Sequence, residues 1–229
     1  MIDLASGPSI VSVSATAVGA LSGALFAVER RCGLSGVLCL AFSTGVSGSL
    51  MRDVLLQNGP SVILTDASFL LAVLVCASVG FFFSTMIRWV HPLLVVFDAL
   101  SIGFFAVLGA TMAVHAGLGP LGATLIGLIN AIGGWVLRDI LAGDRPQLVL
   151  PGPIYAIAAG IASALYVMLI VSLHVATAPA ALITIVVGFS IRMAALKYGW
   201  NAPTPIDLTP RIRRSRSTEK ARQTASRSD

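Results

Sequence analysis

The residues of this sequence best able to do chemistry come in two matched pairs, Arg52-Asp53 and Arg138-Asp139, each near the end of an otherwise apolar stretch. An arginine or aspartate placed near the centre of a bilayer costs about 2.5–3.5 kcal/mol, so a chain keeps one there only with partners or water. Neighbouring residues on a helix point about 100° apart, so neither pair is expected to neutralise itself face to face, and one member of each must look elsewhere. Two locations are open. The charges face an interior, water-lined space, or all four snorkel at helix ends close to Pro60 and Pro146.

A stripe of small residues precedes each pair. Gly45, Gly48 and Arg52 are spaced i, i+3, i+7 and share a helical face, with Thr44 and Ser47 beside them. Gly127, Asn130, Ala131, Gly134 and Arg138 form the equivalent stripe, with Gly133 adjacent. Small residues let a second backbone come close, and adjacent glycines weaken a helix enough to bend or open it. Plain packing explains any one such glycine. Their recurrence beside Arg-Asp supports a second reading, in which helices broken at the glycines expose carbonyls that replace the hydration shell of a monovalent cation. The arginines then act as charge gates, and cation preference comes from carbonyls, hydroxyls and carboxylates, since arginines alone favour anions. Asp98 is either a buried carboxylate on this pathway or a first-turn residue favoured by the helix dipole.

Other chemistry is thin. Cys32, Cys39 and Cys76 form no CxxC, have no histidine at metal-ligand spacing, and read as buried small apolar residues. His91, His115 and His174 read as interfacial residues at helix ends. Gly33-Leu34-Ser35-Gly36 and Gly45-Val46-Ser47-Gly48 spell G-x-S-G, which resembles the serine motif of rhomboid intramembrane proteases, but no histidine is placed to take the serine proton. Neither an enzyme nor a cofactor nor a metal site is expected.

The elements that position these residues follow from composition. With 56% hydrophobic and 11% charged residues and a mean hydropathy of +0.92, the chain is an all-α integral membrane protein. A span needs roughly 20 helical residues. Seven such runs lie at about Ile10–Val28, Ser35–Leu56, Ala67–Met86, Pro92–Val114, Leu121–Ala142, Gly152–Leu173 and Ala178–Leu196. At one constant offset Gly23, Gly33, Gly48, Arg52, Asp53, Pro60 and Ala72 fall on Gly109, Gly119, Gly134, Arg138, Asp139, Pro146 and Ala158, and Ser12 falls on Asp98. The chain thus contains two copies of a three-helix unit, residues 10–86 and 92–173, followed by a seventh helix at 178–197. An odd number of helices per copy inverts the second relative to the first. Arg30, Arg31, Arg88, Arg192 and Lys197 fall on one side, which places residues 1–9 outside and the C-terminus in the cytoplasm. Residues 200–229 form a basic tail with little to bury. It is expected to be disordered and to set topology or meet anionic lipid, not nucleic acid.

The doubled glycine-bearing helix ending in Arg-Asp-(Val/Ile)-Leu, followed by Pro60 or Pro146, resembles the prokaryotic TRIC family of trimeric intracellular cation channels. Phe97-Asp98-Ala99, Phe104 to Ala110, Leu150 to Ala156 with Tyr155, and Ile191-Arg192-Met193-Ala194-Ala195 extend the likeness over about residues 10–203. The resemblance implies a homotrimer in the cell inner membrane, with a pathway for potassium and sodium inside each protomer, lined by kinked second and fifth helices. Its pore positions are Gly45, Gly48, Gly133 and Gly134, and its charged pairs are Arg52-Asp53 and Arg138-Asp139. Where many members carry three successive glycines, this chain has Val46-Ser47-Gly48-Ser49 and Gly133-Gly134-Trp135. Some relatives with this domain are described as glycine transporters, so an alternating-access transporter of small solutes is the alternative.

Overall fold

The computed structural model describes residues 10–57, 59–82, 90–146, 148 and 155–200. Its helices are α1 (Ile10–Glu29), α2 (Leu34–Leu56), α3 (Val62–Thr65), α4 (Ala67–Phe82), α5 (Val90–His115), α6 (Pro120–Leu141), α7 (Tyr155–Val167, continued by a π turn at Met168–Ser172) and α8 (Thr177–Tyr198). Six stretches (α1, α2, α5, α6, α7 with its π turn, and α8) are long and apolar enough to cross a membrane, and α4 is a shorter apolar helix. The protein is a multi-pass all-helical membrane protein.

The short α3 was not anticipated, because four residues are too few for a periodic signal. The expected third helix extends to Met86 and the sixth begins at Gly152, and both of those ends lie outside the described residues, as do Arg88, the N-terminal 1–9 segment and the tail beyond Trp200.

The two copies match in backbone detail. Gly33 and Gly119, at φ −69°, ψ 175° and φ −64°, ψ 168°, stand before α2 and α6. The helices before them close with the same pair of turn bonds: Arg31 and Cys32 donate to Val28 and Ala27, Gly117 and Leu118 to Val114 and Ala113. Arg31 takes the left-handed conformation (φ 56°) that Gly117 takes at the equivalent point (φ 80°), and Gln57 (φ 52°) repeats this opposite Gly143 (φ 77°). Only glycine adopts that region without strain.

Packing follows the same pattern. α1 lies on α2 and α4 as α5 lies on α6 and α7, while α1 meets α5 and α2 meets α6 across the middle. α8 packs on α5 and α7, leaving Leu182, Ile183 and Val186 exposed. Leu56, at the end of α2, packs against a cluster holding Ala123 and Ile126, and its equivalent Ala142 against one holding Val37 and Leu40. Outside the apolar stretches, Asp66 accepts from the Ser68 amide (2.8 Å) and hydroxyl, capping α4. Those two bonds hold its carboxyl below the usual carboxylate range.

Candidate functional site

α2 and α6 cross at their glycines, and the contact there is reciprocal. A side chain on Gly48 would collide with the Asn130 carbonyl, and one on Gly134 with the Thr44 carbonyl; Thr44 and Asn130 are themselves equivalent positions. Gly133 faces the Gly48 Cα and the Met51 Sδ. Behind the crossing, Gly23 of α1 backs onto Leu40 and Thr44, and Gly109 of α5 onto Ile126 and Asn130, again equivalent pairs. The expected break in these helices is absent: α2 and α6 are continuous through their glycines. The missing side chains have admitted a facing backbone, and close packing leaves each helix its own hydrogen bonds.

The predicted stripe residues divide. Thr44, Gly48, Asn130, Gly133 and Gly134 meet at the crossing. Gly45 turns instead to Thr16 and Ala20 of α1, and Ser47 lines a lateral groove with Phe42 and Leu74. The Thr44 hydroxyl donates to the Leu40 carbonyl at 2.7 Å, and the Ser47 hydroxyl to that of Ser43. Asn130 donates through Nδ2 to the Phe105 carbonyl at 2.5 Å, while its buried Oδ1 has no partner among the described residues. Buried polar atoms are nearly always satisfied, and this side chain lies against Phe105 and Gly109 of α5, behind the crossing.

One turn beyond each crossing glycine sits an Arg-Asp pair, and all four residues are buried. The expectation that neighbours cannot pair is overturned. Arg52 donates Nε to Asp53 Oδ1 at 2.7 Å, with Nη2 at 2.6 Å, and the Ser61 hydroxyl donates to Asp53 Oδ2. Arg138 reaches Asp139 Oδ1 through Nε (3.2 Å) and Nη2 (3.0 Å). The angle between Cβ directions does not limit a guanidinium on a long stem, which folds back across its own helix surface.

Asp98 lies more than two turns into α5, which excludes its reading as a first-turn residue. Its Oδ1 accepts from the Ser22 hydroxyl of α1 and from Arg138 Nη1 at 3.3 Å. Arg138, 1% exposed, is further held over the rings of Phe26 (4.1 Å) and Trp135 (5.1 Å). Trp135 lies 3.7 Å from Tyr155, centroid to centroid, and Arg192 of α8 sits 5.0 Å over the Tyr155 ring. Ser22, Phe26, Trp135, Tyr155 and Arg192 escaped the sequence-based site. Comparing the copies would have found two of them, because Trp135 and Tyr155 replace Ser49 and Phe69.

Elsewhere, Cys39 is exposed and Cys32 and Cys76 half-buried, which corrects the expectation of three buried cysteines; α2 turns Cys39 outward into the lateral groove. His91 Nδ1 lies 2.8 Å from Glu29 Oε1, and Arg30 meets Asp144 at 2.5 Å, so the end of α1, the start of α5 and the end of α6 gather at one face. Hydrogen bonding to Asp144 raises the Arg30 pKa. No cluster of metal-ligating side chains occurs among the described residues.

A family model described as glycine transporter matches twice, over residues 9–85 and 95–171. The inner membrane protein YadS of Escherichia coli is 32% identical over 198 residues, 85% of this chain and 94% of that protein. A membrane protein of Deinococcus radiodurans is 36% identical over 130 residues, 57% of this chain and 60% of its own length. Among solved structures, one describing conductance through TRIC cation channels superposes with a TM-score of 0.77 at 28% identity, covering 86% of this chain and 96% of that one. A TRIC trimeric intracellular cation channel orthologue from Rhodobacter sphaeroides gives 0.76 at 29% identity, covering 82% and 96%.

Proposed function

The chain belongs to the prokaryotic TRIC family, and on that premise we propose that it is a monovalent cation channel of the inner membrane, passing potassium and sodium through a pathway within each protomer of a homotrimer. The observation that carries this reading is the likeness to TRIC cation channels over 86% of the chain. In this reading residues 10–86 and 92–173 are inverted three-helix units, the seventh spanning helix is 178–197, residues 1–9 lie outside, and the basic tail lies in the cytoplasm.

Reciprocity of the α2–α6 contact supports the inversion. A contact in which equivalent residues exchange roles is the signature of a twofold axis. The end of α2 packs toward the first half of α6 and the end of α6 toward the first half of α2, which supports an axis across the helices, in the membrane plane.

The pathway follows this crossing. With Gly48, Gly133 and Gly134 in backbone contact the protein is closed. Parting α2 from α6 exposes the Thr44 and Asn130 carbonyls, oxygens suited to a cation that has shed water. Arg52-Asp53 and Arg138-Asp139 flank the crossing on opposite sides as charge gates, with each arginine held by its carboxylate. Ser47 and Asp98 line the approaches, and Gly45 sets the α1–α2 contact behind them.

The test is planar-bilayer recording of the purified protein in potassium and then sodium solutions. Unitary steps in both, abolished by Gly134→Leu, are expected. Silent bilayers together with saturable glycine counterflow in liposomes would replace the channel with an alternating-access transporter of small solutes. The description of the family model matching both halves favours that second reading.

A further inference from the structure

Three of the side chains that set the second copy apart from the first belong to one cluster. Asp98, Trp135 and Tyr155 stand where the first copy has Ser12, Ser49 and Phe69, and Arg192 enters beside them from α8, which has no counterpart in the repeat. Trp135 and Tyr155 are 4% and 5% exposed, yet the indole Nε1 and the phenol hydroxyl have no hydrogen-bond partner among the described residues. Two buried donors side by side, their rings 3.7 Å apart, lack an acceptor. Arg192 lies 5.0 Å over the Tyr155 ring and Arg138 5.1 Å over that of Trp135, and Arg138 donates to Asp98 at 3.3 Å.

We propose that Trp135, Tyr155 and Arg192, with Asp98 opposite, form a binding site for a small zwitterionic amino acid of glycine size. The two donors and the Arg192 guanidinium receive the ligand carboxylate, and Asp98, which keeps 15% of its side chain exposed, receives the ammonium. Charge selects the class. Arg138 and Arg192 against Asp98 and Asp139 leave the cluster neutral, so a lone anion or cation would bring an uncompensated charge into a buried site, whereas a zwitterion brings none. Size follows from the walls: Trp135 and Tyr155 belong to a packed cluster with Ile102, Phe105 and Leu108, which leaves little room for a bulky side chain. The inference deepens the transporter reading by naming its site, but it is a statement about binding and is tested as one.

Radiolabelled glycine is bound to the purified, detergent-solubilised full chain at equilibrium, with unlabelled acetate and methylammonium as single-charge competitors. Saturable binding is expected, with either competitor at least about tenfold weaker than unlabelled glycine. Tyr155→Phe should lose about tenfold in affinity, the size of one hydrogen bond to a charged group, without loss of thermal stability. Asp98→Asn should abolish the preference for glycine over acetate. Thr184→Val serves as the control: it removes another buried, unpartnered hydroxyl about 12 Å along α8 from Arg192, and should leave binding unchanged. Absence of saturable glycine binding, or equal affinity in Tyr155→Phe and wild type, overturns the site. Binding without counterflow upholds the site and removes the transporter reading, while counterflow untouched by Tyr155→Phe overturns the site and leaves that reading standing.

Discussion

Arg52 and Arg138 occupy the same position in two copies of one unit, yet their surroundings differ. Arg52 is tied to its neighbour Asp53, itself held by Ser61, close to the exposed turn at Gly59 and Pro60. Arg138 is tied to its neighbour and to Asp98 as well, and is clamped between the Phe26 and Trp135 rings. The two copies share the helix and the pair, and differ in what surrounds the arginine. The shared features make up the crossing of the proposed channel, and the unshared ones the proposed binding site.

The largest test of this contrast is removal of each arginine. Arg138→Ala takes from two buried carboxylates, Asp98 and Asp139, the guanidinium that both accept from, and a loss of about 3–5 kcal/mol is expected in detergent unfolding. Arg52→Ala leaves one carboxylate that keeps its serine and lies near water, so about 1–3 kcal/mol is expected. Equal losses would erase the distinction between the halves. Next come the crossing glycines, where the halves should agree. Gly48→Ala and Gly134→Ala each drive a methyl into a facing carbonyl, and each should cost about 1–3 kcal/mol. A large difference between them would break the twofold. Two smaller effects carry the opposite sign. Tyr155→Phe restores the residue type of the first copy and discards an unpartnered hydroxyl, so stability should rise by about 1 kcal/mol. Arg31→Gly brings to the end of α1 the residue that its equivalent Gly117 already supplies, relieving a left-handed conformation by up to about 1 kcal/mol in melting experiments.

Much of this was legible in the sequence, for a physical reason. Spans are set by the length of apolar runs, and the described starts and ends of the long helices lie close to their expected places, as at Leu34–Leu56 and Pro120–Leu141. The repeat was legible because glycines at close approaches tolerate no substitute, so Gly48 and Gly134 keep their alignment. What periodicity does not encode is reach. Helical angles place Gly45 beside Gly48, but neighbouring helices arrive from different sides, and Gly45 meets α1 while Gly48 meets α6. The same angles kept Arg52 from Asp53, although the guanidinium stem spans the gap. Cys39 looked buried because apolar surroundings in a membrane chain mean lipid as often as core. Trp135 and Tyr155 are ordinary core residues by type, and only the comparison with Ser49 and Phe69 singles them out.

In the proposed channel, the reciprocal contact of Gly48 with Asn130 and Gly134 with Thr44 bears on rectification. A gate whose two faces are built from equivalent atoms presents the same obstacle to an ion arriving from either compartment, and by itself passes current equally in both directions. Any bias between inward and outward flow must then originate off the axis, where Asp98 and Trp135 face no equivalent, and Asp98→Ser with Trp135→Ser is the pair of changes that should straighten the current–voltage curve.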